Sequence, residues 1–278
     1  MNTPLVSVEW LQAHLGDPRL RIVDCRFSLQ DPKAGRQAFL QGHIPGAIYL
    51  NLEADLSAPV RPDRRGGRHP LPAPEVLAQT LGRVGIGNAH WVVAYDDPPA
   101  GGMYAPRLWW LLRWLGHEQV AVLDGGIGAW REAGYAISTQ PAQYPPTSFQ
   151  AHPRPERLAD AEAVAHRPAG SVLIDSRAPE RYRGEVEPLD PVAGHIPGAI
   201  NRNWLDGLEA SGRFKSPEEQ ARRFAGLEGE IIVYCGSGVS ACANVLALEL
   251  IGKKARLYAG SWSDWVSEPS RPVAKGDT

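Results

Sequence analysis

A cysteine after four apolar residues is the residue of this chain best suited to nucleophilic chemistry. Cys235 ends a run that predicts a buried strand, and the periodic apolar segment 245–251 after it predicts a helix. Gly236 and Gly238 allow the loop between this strand and this helix to adopt backbone angles that turn several N–H groups towards one point. A helix that begins near Ser240 adds the positive end of its dipole. The loop is therefore predicted to hold an anion on sulfur.

The other two cysteines are predicted to be inert. Cys25 follows a strand ending at Asp24, and Cys242 lies within the apolar helix. Most free cysteines are small buried hydrophobic residues, and that is the alternative interpretation of Cys235. The loop glycines and the helix start favour a reactive thiol instead. Three scattered cysteines also exclude a disulfide framework and a four-cysteine zinc site, which favours a reducing, cytoplasmic location.

Composition excludes several classes of function. The 278 residues include 29 basic and 31 acidic side chains, so no basic surface for nucleic acid or anionic lipid is expected. The most apolar segment, 108–115, is short and contains Arg113, which predicts no membrane span. Residues 1–11 lack the pattern of a secretory signal.

The elements that position Cys235 belong to an internal repeat. The heptapeptide Gly-His-Ile-Pro-Gly-Ala-Ile occurs at 42–48 and again at 194–200. Strands alternate with helices in both halves, which predicts an α/β fold of two tandem domains, each a small parallel sheet flanked by helices on both faces. The predicted domains are 1–138 and 156–278, joined by a proline-rich, non-helical linker over 139–155. The second domain is predicted to open with a helix near Leu158 to Ala165.

The two copies differ at the end of the corresponding strand. The first copy has Asp96 where the second has Cys235. A carboxylate cannot act as a sulfur nucleophile, so the first domain is predicted to be non-catalytic and the second catalytic.

These motifs resemble one family over essentially the whole chain. A repeated His-Ile-Pro-Gly-Ala segment, with Cys-Gly-Ser-Gly-Val-Ser-Ala in the second copy alone, is similar to the two-domain rhodanese-like sulfurtransferases. The loop looks most like that of the 3-mercaptopyruvate sulfurtransferases, with Ser240 where those usually have threonine. Thiosulfate sulfurtransferases typically carry basic residues after the cysteine, and residues 236–238 carry no charge.

The resemblance implies a two-step transfer of sulfur. The Cys235 thiolate takes sulfur from a small-molecule donor as a persulfide, and a thiol, reduced thioredoxin or cyanide then removes it. No metal or organic cofactor is implied, and neither nucleic acid nor membrane is an expected partner. The loop residues implied to bind substrate are Gly236, Ser237, Gly238, Val239 and Ser240.

The family also implies residues outside the loop that orient the substrate. Arg181 matches the first of two arginines that hold the donor's carboxylate and carbonyl, a task suited to a planar guanidinium. The second arginine falls on Leu189, so an apolar side chain replaces a fork-shaped donor; Arg183 is a candidate to compensate. A surface salt bridge is the alternative role for Arg181.

A proton relay with Ser237 is the last implied feature. His43 matches its histidine, and Asp31 is the nearest candidate for its aspartate. Because His195 occupies the same position of the second repeat, both histidines could instead be structural turn residues. His69, in an arginine-rich segment, is interpreted as part of a solvated or interdomain loop.

Three alternative functions compete with this interpretation, and the sequence argues against the first two. A cysteine phosphatase needs an arginine six positions after its cysteine, and Ala241 stands there. A non-enzymatic binding module is disfavoured by the undamaged loop at Cys235. A sulfurtransferase with thiosulfate as its main donor is the remaining alternative.

Overall fold

The computed structural model describes residues 3–99 and 103–277 and contains two compact units. The first comprises the chain up to Ala58 together with Pro72–Arg154 and Leu208–Phe214. The second comprises Pro59–Leu71, Pro155–Gly207 and the chain from Lys215. Two short segments therefore depart from contiguous domains: Pro59–Leu71 belongs to the second unit, and Leu208–Phe214 belongs to the first.

The first unit is built on a parallel five-stranded sheet. Its strands are β1 (Leu5–Val6), β2 (Leu20–Asp24), β3 (Ala47–Tyr49), β4 (Trp91–Tyr95) and β5 (Val120–Leu123). They lie in the order β1-β5-β4-β2-β3, and all neighbours are parallel. Strand β2 is buried over its whole length, as expected for a strand covered on both faces.

Helices cover this sheet, and residues typical of helix N-termini mark where two of them begin. They are α1 (Val8–His14), α2 (Ala34–Gln41), α3 (Pro74–Arg83), α4 (Ala105–Trp114) and α5 (Gly126–Glu132). The Ser7 side chain accepts from the N–H of Trp10 and caps α1, whereas α3 begins at Pro74, a residue preorganised for a first helical position.

The second unit repeats this plan. Its strands are β6 (Leu158–Ala159), β7 (Val172–Asp175), β8 (Ala199–Asn201), β9 (Ile231–Tyr234) and β10 (Arg256–Tyr258), in the parallel order β6-β10-β9-β7-β8. Its helices are α6 (Ala161–Ala165), α7 (Pro179–Tyr182), α8 (Pro217–Arg223), α9 (Ala241–Leu250) and α10 (Ser261–Trp265). A reciprocal capping box of Ser216 and Glu219 starts α8.

The proline-rich segment before Pro155 has no helix or sheet and packs with the first unit. The N–H of Ala142 donates to the Ala47 carbonyl at 3.1 Å, and the Tyr144 hydroxyl donates to the Gly46 carbonyl at 2.9 Å. Among the helices described, the longest have ten residues, and none has the length and apolar character needed to cross a bilayer.

Candidate active site

Cys235 lies at the carboxyl end of the buried strand β9, and contacts with the start of α10 fix its backbone. Its N–H donates to Ser261 Oγ at 3.0 Å, and its carbonyl accepts from the N–H of Trp262 at 3.0 Å. The carbonyl of Gly236 accepts from the N–H of Ser263 at 2.9 Å. The thiol is buried, so its immediate surroundings decide its reactivity.

The loop after Cys235 is shaped by Gly238. This residue has φ +74°, and a β-carbon there would collide with the Ala259 carbonyl. Helix α9 begins three residues later at Ala241, with its positive dipole end directed at the loop. No acceptor within residues 3–99 and 103–277 takes the backbone N–H groups of Gly236, Ser237, Val239 and Ser240. These donors are available to stabilise an anion.

Ser237 pairs with His69, a residue that the sequence had placed in a solvated or interdomain loop. His69 Nδ1 lies 2.8 Å from Ser237 Oγ, and both side chains are buried. The segment Pro59–Leu71 that carries His69 is anchored within the second unit. The N–H of Gly66 donates to Asp264 Oδ1 at 2.7 Å, and the N–H of Arg68 donates to Ser263 Oγ at 3.1 Å.

The predicted relay through His43 and Asp31 is wrong. The ring nitrogens of His43 lie 2.6 Å from the Phe39 carbonyl and 3.1 Å from the Gln140 carbonyl, and the ring is buried. Asp31 is exposed, and its carboxylate accepts from the N–H of Lys33 at the start of α2. Each residue therefore has a local structural role.

The histidine of the second heptapeptide makes contacts of the same kind. His195 Nδ1 lies 2.8 Å from the Tyr182 carbonyl, and its ring stacks on Tyr182 at 3.9 Å. His43 stacks on Phe39 at 4.1 Å in the same way. In both copies the heptapeptide histidine thus contacts a backbone carbonyl and stacks on an aromatic ring, contacts that favour the alternative interpretation of a structural residue.

One comparison within the sequence could have identified His69. Gly67-Arg68-His69 precedes α3, and Gly212-Arg213-Phe214 stands at the corresponding place before α8. The histidine is the residue that differs in type, and it contacts the loop of the copy that carries the cysteine.

Arg181 lies beside the loop, at the end of the short helix α7. Its Nη2 donates to Glu187 Oε1 at 2.6 Å, and a methyl group on Gly236 would lie 3.5 Å from its Nη1. Arg181 therefore forms an ion pair with Glu187 and at the same time lies next to the cysteine loop. Arg183, by contrast, bonds with Glu185 at an exposed position, and Leu189 is 46% exposed.

The other thiols are held in unreactive surroundings. Burial raises the pKa of Cys25 well above its usual value, and the nearby Asp96 and Asp24 carboxylates raise it further. Cys242 Sγ lies 3.4 Å from the Gly238 carbonyl, inside helix α9. Among the described residues, no three His, Cys, Asp or Glu side chains group as metal ligands would.

Asp96 stands at the end of β4, where the second unit has its thiol. Its Oδ2 accepts from the N–H groups of Tyr104 and Ala105 at the start of α4. Burial raises the pKa of Asp96 to about 7. The first unit therefore places a titratable carboxyl, bonded to the start of α4, where the second unit has its thiol.

Comparison with known proteins identifies the family. The model of the rhodanese-like domain matches residues 7–133 and 159–268. The probable 3-mercaptopyruvate sulfurtransferase of Pseudomonas aeruginosa is 48% identical over 99% of both chains. The putative thiosulfate sulfurtransferase SseB of Mycobacterium tuberculosis is 43% identical over 94% of this chain and 92% of its own.

A solved structure agrees in both sequence and fold. The crystal structure of SseA from Escherichia coli, a 3-mercaptopyruvate sulfotransferase, has a TM-score of 0.80 and 32% identity, over 94% of this chain and 99% of SseA. With its repeated sheet and its cysteine loop on the second copy, the chain belongs to the rhodanese-like family and is a sulfurtransferase of the tandem-domain type.

Proposed function

We propose that this protein transfers sulfur from 3-mercaptopyruvate to a thiol or to cyanide through a persulfide on Cys235. The observation that carries the proposal is the hydrogen bond between His69 and Ser237, which joins a proton-transfer group to the loop of a buried cysteine. The name of the Pseudomonas aeruginosa relative supports the same donor.

The first half-reaction breaks the carbon–sulfur bond of the donor. The Cys235 thiolate attacks the donor's sulfur, a sulfur–sulfur bond forms, and the electron pair of the broken bond leaves with carbon as the enolate of pyruvate. The enolate takes a proton delivered through His69 and Ser237, and pyruvate departs. The loop N–H groups and the α9 dipole stabilise the anion on sulfur.

The second half-reaction restores the free thiolate. A nucleophilic acceptor attacks the outer sulfur of the persulfide, so that the new bond joins acceptor to sulfur and Cys235 leaves as thiolate. A dithiol such as that of reduced thioredoxin, or cyanide, meets this requirement. Because the thiol must stay reduced between turnovers, we place the reaction in the cytoplasm. The cycle draws on no metal or organic cofactor.

Thiosulfate is the second candidate donor. It is favoured by the name of the Mycobacterium tuberculosis relative and by Leu189 in place of an arginine. The uncharged side chains at 236–238 argue against it, because a dianion has no cationic partner within the loop itself.

Intact mass spectrometry tests the proposal. After incubation with 3-mercaptopyruvate and removal of the donor, the protein should gain the mass of one sulfur atom, and cyanide should remove it. Cys235→Ser should abolish the gain, whereas Cys25→Ser and Cys242→Ser should retain it. Loading by thiosulfate but not by 3-mercaptopyruvate would show that thiosulfate is the donor. Loading that survives Cys235→Ser would show that another residue is the nucleophile.

A further inference from the structure

Two guanidinium groups meet above Gly236, the residue after Cys235. A methyl group on Gly236 would lie 3.0 Å from Arg68 Nη2 and 3.5 Å from Arg181 Nη1. The two arginine side chains are 19% and 18% exposed, so both are largely withdrawn from solvent yet accessible to a small molecule. Arg68 comes from the segment that also carries His69, whereas Arg181 comes from α7.

Two buried carboxylates hold these guanidinium groups by their other edges. Arg68 Nη1 is ion-paired with Asp190 Oδ1, and Asp190 Oδ2 lies 3.6 Å from Arg181 Nη2. Glu187 accepts from Arg181 Nε and Nη2 at 3.3 and 2.6 Å. The side chains of Glu187 and Asp190 are 3% and 4% exposed. The nitrogens that remain at Gly236 are therefore fixed in direction.

We propose that Arg68 Nη2 and Arg181 Nη1 together bind the carboxylate of the sulfur donor. Leu189 is apolar and 46% exposed, and Arg68 supplies the second cation from a different part of the chain. The inference rests on the proposed function, because it assigns the group that recognises the proposed donor.

The geometry favours a donor that carries a carboxylate close to its sulfur. Consecutive Cα atoms are about 3.8 Å apart, so a donor with its sulfur at Cys235 places a neighbouring group over Gly236. Two N–H donors on separate guanidinium groups match the two oxygens of a carboxylate. The buried acids balance the two arginines in charge, so recognition depends on directed hydrogen bonds more than on net charge.

A pair of matched donors tests this assignment. 3-Mercaptopyruvate and 1-mercaptopropan-2-one share the thiol and the ketone, and the second has a methyl group in place of the carboxylate. Arg68→Gln should lower kcat/KM for 3-mercaptopyruvate about 10- to 100-fold, the range for hydrogen bonds to a charged group. It should leave kcat/KM for 1-mercaptopropan-2-one within about twofold. The inhibition constant of pyruvate, which has the carboxylate and no thiol, should rise in parallel.

Two further variants keep the test decisive. Arg68→Lys retains a cation for Asp190 and so protects the fold if the glutamine variant is unstable; it too should lower kcat/KM for the carboxylate donor selectively. Arg65→Gln is the matched control from the same segment, because Arg65 pairs with Glu268 at an exposed position, and it should change neither value.

The outcomes separate the two proposals. If the unmodified protein turns over neither ketone donor, the proposed function fails. If it turns over 3-mercaptopyruvate but the Arg68 variants lower both donors equally, or neither, the assignment of Arg68 fails while the function stands.

Discussion

In the proposed mechanism, Ser237 and His69 deliver a proton to the leaving enolate as a hydrogen-bonded pair. Positioned proton transfer contributes about 10²- to 10⁴-fold to a rate, so Ser237→Ala or His69→Asn should lower kcat for 3-mercaptopyruvate by about that factor. Asparagine can keep a hydrogen bond to Ser237 without acting as an acid. Because the two side chains act as one unit, the double variant should be scarcely slower than either single one. Single-turnover kinetics with each variant would measure this.

His43 supplies the control for that experiment. Its ring bonds to backbone carbonyls of its own unit, so His43→Gln should lower the melting temperature and leave kcat per folded molecule near that of the unmodified protein. A loss of kcat with His43→Gln and none with His69→Asn would restore the relay expected from the sequence.

Asp96 should make the stability of the protein depend on pH. Burial raises its pKa to about 7 in the folded state, compared with about 3.9 for a free carboxyl. Between these values the folded chain holds one more proton than the unfolded chain. The stability that Asp96 contributes is therefore full below the lower value and is lost as the pH rises through about 7.

Asp96→Asn tests that dependence, because an amide does not titrate and still accepts from the N–H groups at the start of α4. The melting temperature of the variant relative to the unmodified protein should rise between pH 4 and pH 8. The corresponding change in relative stability is at most about 1.4 kcal/mol per pH unit. Thermal scans across this range measure it, and a constant difference would contradict the expectation.

At the scale of elements, the turn between β9 and α9 depends on one glycine. Gly238 and Gly226 share φ +74°, but a β-carbon on Gly238 would strike the Ala259 carbonyl, whereas Gly226 has open space around it. Gly226→Ala should cost about 1 kcal/mol, the price of the backbone angle alone. Gly238→Ala should lower the melting temperature further and abolish sulfur loading of Cys235. Equal effects of the two substitutions would show that the close contact is unimportant.

Most elements could be predicted because their patterns are local. The strand that ends at Tyr234 is a continuous apolar run, and the helices beginning at Val8 and Pro74 start at a capping serine and a proline. The helix predicted near Leu158 to Ala165 begins only at Ala161, and Leu158–Ala159 is an edge strand paired with β10. A strand of two residues is too short to show a periodic pattern in the sequence, so its conformation is decided by pairing with the neighbouring strand.

At the scale of the whole molecule, the cysteine loop could be predicted and its partners could not. Cys235 and its glycines are contiguous in sequence, and Arg181 lies in a recognisable motif. His69 and Arg68 reach the loop because the segment Pro59–Leu71 packs with the second unit. A contact between such distant residues depends on the path of the folded chain, and the repeat pointed instead to His43.

The wide spacing of these residues has a consequence for protein synthesis. His69 is made 168 residues before Ser237, which at about 5–20 residues per second is an interval of roughly ten to thirty seconds. Ser261, which fixes the backbone of Cys235, is made later still. A growing chain on the ribosome therefore presents Cys235 before Ser261 exists to fix its backbone, and we expect it to take up sulfur only after α10 has formed.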